Sequence, residues 1–227
     1  MAVSRYALAL IAFGLILGDG GAQVKPAAAQ ARVEDQLKLP QPQKSAGMSL
    51  TEAMARRRSV REFAARALTR EQLGQLLWAA QGITSDDGKR SAPSAGALYP
   101  LEIYVATAEG LHHYQPRGHK LEPRTSADVR PALARAALGQ SFIAQAAAVF
   151  IIAADYQRTA RKYGPDRSPR YVHIEAGHAA QNLLLQATAL GLAGVPVGAF
   201  IDEAVRSIVS LPPTEQAVYL IVVGYSR

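Results

Sequence analysis

The chain mixes short amphipathic stretches with uninterrupted apolar runs, and each kind predicts a different element. Ser49-Leu50-Thr51-Glu52 has the serine-to-glutamate spacing of a capping box. It opens a helix that carries Met54 on its inner side and runs into a cluster of arginines. Thr69-Arg70-Glu71-Gln72 repeats the signal, and Leu73, Leu76, Leu77 and Ala80 then share one face of a helix that stops before Gly82. Residues 101–107 and 111–115 read as two strands joined by a turn at Glu109-Gly110. Segment 128–138 is helical in pattern, and 149–153 is a wholly apolar, buried strand. Residues 171–190 make the longest helix; its second half is poor in charge, which predicts a buried central helix ended by Gly191. Residues 195–200 are extended, Asp202 caps a short helix to 209, and 217–223 is a last apolar strand. Strands and helices alternate irregularly and nothing repeats, so the pattern predicts an α+β fold, not a regular doubly wound one.

Composition supports a folded unit of this kind. Hydrophobic residues are 49% of the 227, enough for a sizeable core. The first 31 residues fall outside that unit. Arg5 precedes an apolar run over 6–17, followed by Gly20-Gly21-Ala22 and later Ala29-Gln30-Ala31, the pattern of a secretory signal cleaved near 22 or 31. The run is shorter than the ~20 residues a membrane-spanning helix needs, so no stable anchor is expected after cleavage. The expected division is therefore a signal over 1–31, a linker over 32–47 rich in Ala, Gln, Pro and Lys, and one domain over 48–227. The expected destination is the periplasm. With no cysteine the chain has neither disulfides nor thiolate chemistry, which an oxidising compartment permits.

A net charge of +7 attracts anions. No zinc-finger or RNP-type signature accompanies it, so nucleic acid is not the expected partner. The positive charge is densest in Arg56-Arg57-Arg58-Ser59-Val60-Arg61. Arginine forks and a hydroxyl can hold a doubly charged phosphate, although such a run is equally a solvated helix face. Pro93-Ser94-Ala95-Gly96 offers a hydroxyl and a backbone that a planar ligand can approach, because Gly96 has no Cβ. Glu175 and His178 are three apart on the long helix, as in half of a carboxylate di-iron site, but no second pair exists. His173 and His178 are five apart and miss the zinc spacing, and His112 and His113 alternate across a strand. No metal site is expected. Nucleophile-elbow, Ser-x-x-Lys, Rossmann and P-loop signatures are all missing.

In their order along the chain these motifs resemble the nitroreductase family of FMN-dependent flavoproteins. "RRRSVREF" at 56–63, "APSAGALYPLEIYV" at 92–105, "EAGHAAQNLLLQATALGLAGVPVGAF" at 175–200 and "YLIVVGYSR" at 219–227 carry the resemblance. "PSAGALYPLE", "RKYG" and "EAGHAAQN" are most similar to the SagB-like branch, the azoline-forming dehydrogenases of thiazole and oxazole peptide biosynthesis. The resemblance implies a central mixed or antiparallel sheet flanked by helices, a long buried central helix, and a homodimer with FMN at its interface. It assigns Arg57, Arg58 and Ser59 to the FMN phosphate and Arg61 to the N1–O2 edge of the ring. Pro93, Ser94, Ala95 and Gly96 would lie against the ring from the partner subunit. Val197 and Gly198 would offer a backbone N–H to flavin N5, which Pro196 lacks. Arg227 would add a phosphate contact. Ala97 and Tyr99 stand where many nitroreductases carry Asn and Gln, a departure that the SagB-like branch shares. Lys162 and Tyr163 match that branch's proton-transfer pair, although Lys162 is also readable as an exposed helix lysine.

The expected function is an FMN-dependent oxidoreductase that moves hydride between flavin N5 and a small or peptidic substrate. Export favours a dehydrogenase over a nitroreductase, because reduced nicotinamides are cytosolic. The alternatives are a non-catalytic exported flavin-binding module for storage or sensing, and a phosphate-ligand domain without flavin.

Overall fold

The computed structural model describes residues 36–45 and 47–227. The signal expected over 1–31 lies outside the described residues. Along the chain run β1 (Leu37–Lys38), α1 (Leu50–Arg56), α2 (Arg70–Gln81), a 3-10 turn (Ala95–Ala97), β2 (Leu101–Thr107), β3 (Gly110–Gln115), β4 (Lys120–Thr125), α3 (Arg130–Ala136) and α4 (Phe142–Gln145). There follow β5 (Ala148–Asp155), α5 (Tyr156–Tyr163), α6 (Ser168–Ala189), β6 (Ala193–Val197), α7 (Asp202–Val209) and β7 (Glu215–Gly224).

The strands join one sheet in the order β1-β4-β3-β2-β5-β7-β6, antiparallel at every strand pair. The sheet is thus antiparallel, and among the described residues the one parallel contact beside it is an isolated bridge between Ser59 and Gly194. Side chains of β5 alternate between the sheet's two faces. Phe150 and Ile152 pack with Leu76 and Leu77 of α2 and Leu183 of α6. Val149 and Ile151 pack with Leu133 of α3 and Val205 and Val209 of α7. Helices cover both faces, which is why 149–153 is apolar without a break. Each such side chain removed from water contributes about 1.5–3 kcal/mol, and α6 supplies the longest apolar row.

Several elements differ from expectation for identifiable reasons. α6 begins at Ser168, because Pro169 is tolerated in a first turn where its missing N–H costs no hydrogen bond. Asp202 is the first residue of α7, not its cap; Ile201 holds that place without a side-chain bond. Thr69 and Gln72 form the full reciprocal capping box, whereas Ser49 only accepts from the Glu52 N–H. Met54 is 56% exposed, not inward, and Leu50 is exposed beside it. Within the stretch expected as a linker, the described residues 36–45 pack on the domain. Leu37 pairs with Leu121, Leu39 is buried, and the Gln43 N–H donates to Gln75 Oε1 at 2.8 Å.

Candidate functional site

α1 delivers the arginine cluster. Its last carbonyls are capped by Arg58, whose Nη1 donates to Ala55 O at 2.9 Å and Arg57 O at 2.8 Å. Arg56 is taken up by Glu52 one turn back. The chain then crosses to the sheet edge, where the Val60 N–H donates to Gly194 O at 3.2 Å and Arg61 lies 5.9 Å from the Phe142 ring. Phe63 is buried beneath Gly224, Ala64 N–H donates to Tyr225 O at 2.8 Å, and Arg227 N–H donates to Glu62 O at 3.3 Å. This stitching brings Ser59 and Arg61 beside β6 and puts Arg227 next to the same segment. Val197 ends β6 opposite Leu220, with Gly198 exposed just beyond it. Among the described residues no carboxylate pairs with Arg57, Arg58, Arg61 or Arg227. Arg57, Arg58 and Ser59 are consecutive at the end of α1, and arginine forks beside a hydroxyl are chemistry suited to a phosphate.

A second group forms around the 93–99 turn. Ser94 Oγ accepts from the Tyr99 N–H at 2.9 Å, and the Ala97 N–H donates to Ser94 O at 3.0 Å. The turn needs left-handed backbone at Gly96 (φ 63°), Ala97 (φ 54°) and Tyr99 (φ 46°). Gly96 rests directly on Lys162 and Tyr163. A Cβ there would meet Lys162 Nζ at 2.9 Å and the Tyr163 hydroxyl at 3.0 Å. α5 carries this pair at its C-terminal end. Asp155 caps its start, accepting from the Gln157 N–H at 3.0 Å. The Tyr163 ring lies 4.6 Å from that of Tyr171 on α6. Arg158, one turn before Lys162, donates to Tyr99 O at 3.1 Å and pairs with Glu102 at 2.5 Å and Asp155 at 3.4 Å. Burial pushes the Glu102 carboxyl up, but His113 and Arg158 together hold it below the usual carboxylate range. Arg158 therefore locks the helix bearing Lys162 to the end of the turn.

Beneath the turn lies Glu175, only 2% exposed. Burial raises its carboxyl to about 7, against the opposing pull of Ser94, Arg90 and Gln81. Its Oε1 has no hydrogen-bond partner. Arg90 donates to Gln81 Oε1 at 2.8 Å and stacks 4.6 Å from the Tyr99 ring. His178, three residues along, is exposed, so the two side chains sit in different environments. His173 meets the Tyr156 hydroxyl at 2.8 Å, and His113 meets Glu102 at 2.8 Å.

The sequence-predicted residues therefore fall into two sets. Ser59 meets β6 at Gly194 with Arg57, Arg58 and Arg61 next to it in the chain, Val197 and Gly198 stand at the far end of β6, and Arg227 follows β7 beside Glu62, while Gly96 of the 93–96 turn meets Lys162 and Tyr163. Among the described residues no hydrogen bond or ion pair joins the sets. A cavity of about 740 Å³ lies apart from the second set, between Phe63, Leu68, His112 and Arg130, and of the predicted residues only Arg227 lines it. Sequence reasoning missed Arg90 and Arg158, and it weighed Glu175 only as half of a metal site. The available signals were the four-residue spacing of Arg158 to Lys162 and a lone carboxylate in a helix otherwise bound for the core.

An antiparallel sheet covered on both faces, a long buried helix and these two clusters define a nitroreductase-like α+β fold. The nitroreductase family model matches residues 54–225, and the chain belongs to that family. It is 48% identical over 170 residues to a protein of Methanocaldococcus jannaschii named as a nitroreductase, covering 72% of this chain and 85% of the relative. A crystal structure from Ralstonia eutropha JMP134, described as a nitroreductase, superposes with a TM-score of 0.78 at 30% identity, covering 85% of this chain and 90% of that one. The trifolitoxin-processing protein TfxB of Rhizobium leguminosarum bv. trifolii is 29% identical over 140 residues, which is 57% of this chain and 38% of that protein.

Proposed function

We propose that the protein is an exported, homodimeric, FMN-dependent oxidoreductase of the SagB-like branch, acting on a peptidic or small substrate. The observation that carries this reading is the seat of Gly96 on Lys162 and Tyr163, which gives the turn against the cofactor a proton-handling pair. When bound, FMN supplies two-electron hydride chemistry. Arg57, Arg58 and Ser59 would hold its phosphate, with Arg227 as a further contact. Arg61 supplies a positive charge to the ring. Val197 and Gly198 would offer backbone N–H groups to it, and the 93–96 turn, lacking bulk at Gly96, would let it approach closely. Lys162 and Tyr163 hold and move the substrate proton.

Support for a shared site comes from the two residue sets, each suited to one side of a cofactor and unlinked within the chain. Exposed Leu50 and Met54 on α1 and Ile174 on α6 give a second copy an apolar face to cover. A peptidic substrate is supported by the likeness to the trifolitoxin-processing protein TfxB, and export by the signal pattern over 1–31.

The test is the visible absorbance of the purified protein, then anaerobic titration with NADH, NADPH and candidate donors. A protein that stays colourless after reconstitution with excess FMN refutes the cofactor. A flavin that no donor reduces, together with a Lys162→Ala variant that behaves as wild type, favours a storage or sensing module instead.

A further inference from the structure

The helix that carries Lys162 has little apolar grip on the rest of the chain. Only Thr159 of the eight residues of α5 is buried, and Tyr156, at its start, is the one side chain of α5 that rests against the apolar cluster. A helix this short is marginal alone, so its far end, where Lys162 sits, needs a hold of another kind. Arg158, one turn earlier, provides it through all three guanidinium nitrogens: Nη1 donates to Tyr99 O at 3.1 Å, Nε meets Asp155 at 3.4 Å and Nη2 meets Glu102 at 2.5 Å. Asp155 caps the same helix and Tyr99 belongs to the turn, whereas Glu102 lies inside β2, between β3 and β5. We propose that Glu102 is a positioning residue for Lys162: it anchors Arg158 to the sheet, and through Arg158 it keeps Lys162 seated against Gly96.

The surroundings of Glu102 hold it in one orientation. Its two oxygens have different donors, Arg158 at Oε1 and His113 Nε2 at Oε2, the latter at 2.8 Å. Gln115 Nε2 stands 3.0 Å from His113 Nδ1, the arrangement in which Nδ1 accepts and Nε2 carries the proton toward Glu102. The imidazole is itself stacked on Tyr104 with ring centroids 4.4 Å apart, and the Tyr104 hydroxyl donates to buried Glu215 at 2.9 Å. Strands β2, β3 and β7 thus contribute to one network that ends on a single guanidinium. A carboxylate only 16% exposed is costly unless both oxygens are satisfied, and here both are. A glutamine at this position would turn its amide nitrogen toward one of the two donors and give Arg158 no charge to grip.

The functional half rests on the proposed reading of Lys162 and Tyr163; the mechanical half does not. The mechanical test is hydrogen–deuterium exchange of the purified protein, comparing residues 158–164 with 148–154 of β5. In Glu102→Gln, exchange over 158–164 should be about tenfold faster, the worth of one charge-assisted hydrogen bond, with 148–154 unchanged. Arg158→Lys serves should that variant fold poorly: it keeps the charge at a position 36% exposed, but one ammonium cannot span three acceptors, and the same local change is expected. The double variant should exchange little faster than either single one, because both break one link. Unchanged exchange over 158–164, an equal rise over 148–154, or effects that multiply in the double variant overturn the proposal.

The functional test is flavin reduction by NADH or NADPH, whichever reduces the bound cofactor. Glu102→Gln should lower the limiting rate about tenfold without moving the half-saturating concentration, as expected for a displaced proton-transfer group. In a Lys162→Ala background the same substitution should lower it no further, and a further tenfold fall overturns the route through Lys162. If Lys162→Ala alone reduces flavin as fast as wild type, the proton-handling reading fails, while the exchange over 158–164 still decides whether Glu102 positions the helix.

Discussion

Replacing Gly96 by alanine perturbs the seat of Lys162 and little else. The backbone there has φ 63°, a conformation that costs an L-residue with a Cβ about 1–2 kcal/mol. The added Cβ would stand 2.9 Å from Lys162 Nζ, closer than real Cβ atoms come to a neighbour, and 3.0 Å from the Tyr163 hydroxyl, which would have to give slightly. Lys162 is a flexible side chain and gives way, so the clash costs little further stability but moves the ammonium. Thermal melting should therefore fall by roughly 2–8 °C, as 1–2 kcal/mol implies for a chain of this size. Turnover should fall far more than stability, at least about tenfold, since a positioned proton-transfer group is worth roughly 10²–10⁴ in rate. Gly118→Ala is the control. It has φ 86°, but its Cβ would meet only Lys120, at 3.7 Å, so it should show the melting loss with normal turnover. If Gly96→Ala and Gly118→Ala lower turnover alike, or Gly96→Ala leaves both quantities unchanged, the contact with Lys162 has no functional weight.

Replacing both Arg57 and Arg58 by alanine should abolish flavin retention through gel filtration; an unchanged visible spectrum argues against the phosphate assignment. Arg158→Gln leaves Glu102 and Asp155 without their shared cation and releases Tyr99 O; with the arginine 36% exposed, the loss should be about 1–2 kcal/mol by chemical denaturation. Glu175 also predicts a stability trend. Its carboxyl binds a proton more tightly in the folded chain, about 7 against an ordinary 4.5, so its stabilising protonation is complete below about 4.5 and lost as pH rises through 7. The loss should total about 3 kcal/mol and disappear in Glu175→Gln, measured by urea denaturation across that range. Leu183→Ala, which empties a fully buried position on α6, should cost about 2–5 kcal/mol by the same measurement.

The long helix and the central strand were legible because each repeats one signal many times, and their burial follows from it. β4 was not, because Pro123 sits inside it and reads as a break. The proline is tolerated at the margin of the sheet, where β1 pairs with only two residues of β4. The arginine cluster and the 93–96 turn were visible as motifs, yet their partners were not. Arg58 capping α1, Arg158 gripping Tyr99 and the isolation of Glu175 all depend on which helices meet. No local pattern records that. Met54 was misplaced for the same reason: the spacing of apolar residues marks a face, but not whether this chain itself covers that face.

The bridge from Ser59 and Val60 to Gly194 has a consequence for how the molecule can meet others. A sheet with a long free margin invites strand-by-strand growth into fibres. Here one margin is five residues of β6 carrying Pro196 and partly covered by the arginine segment, and the other is two residues long. Neither is a long free margin, although Glu122–Thr125 of β4 run on past β1. That leaves the helical surfaces, where side chains and not the backbone select a neighbour, as the broader ground for contact with another molecule.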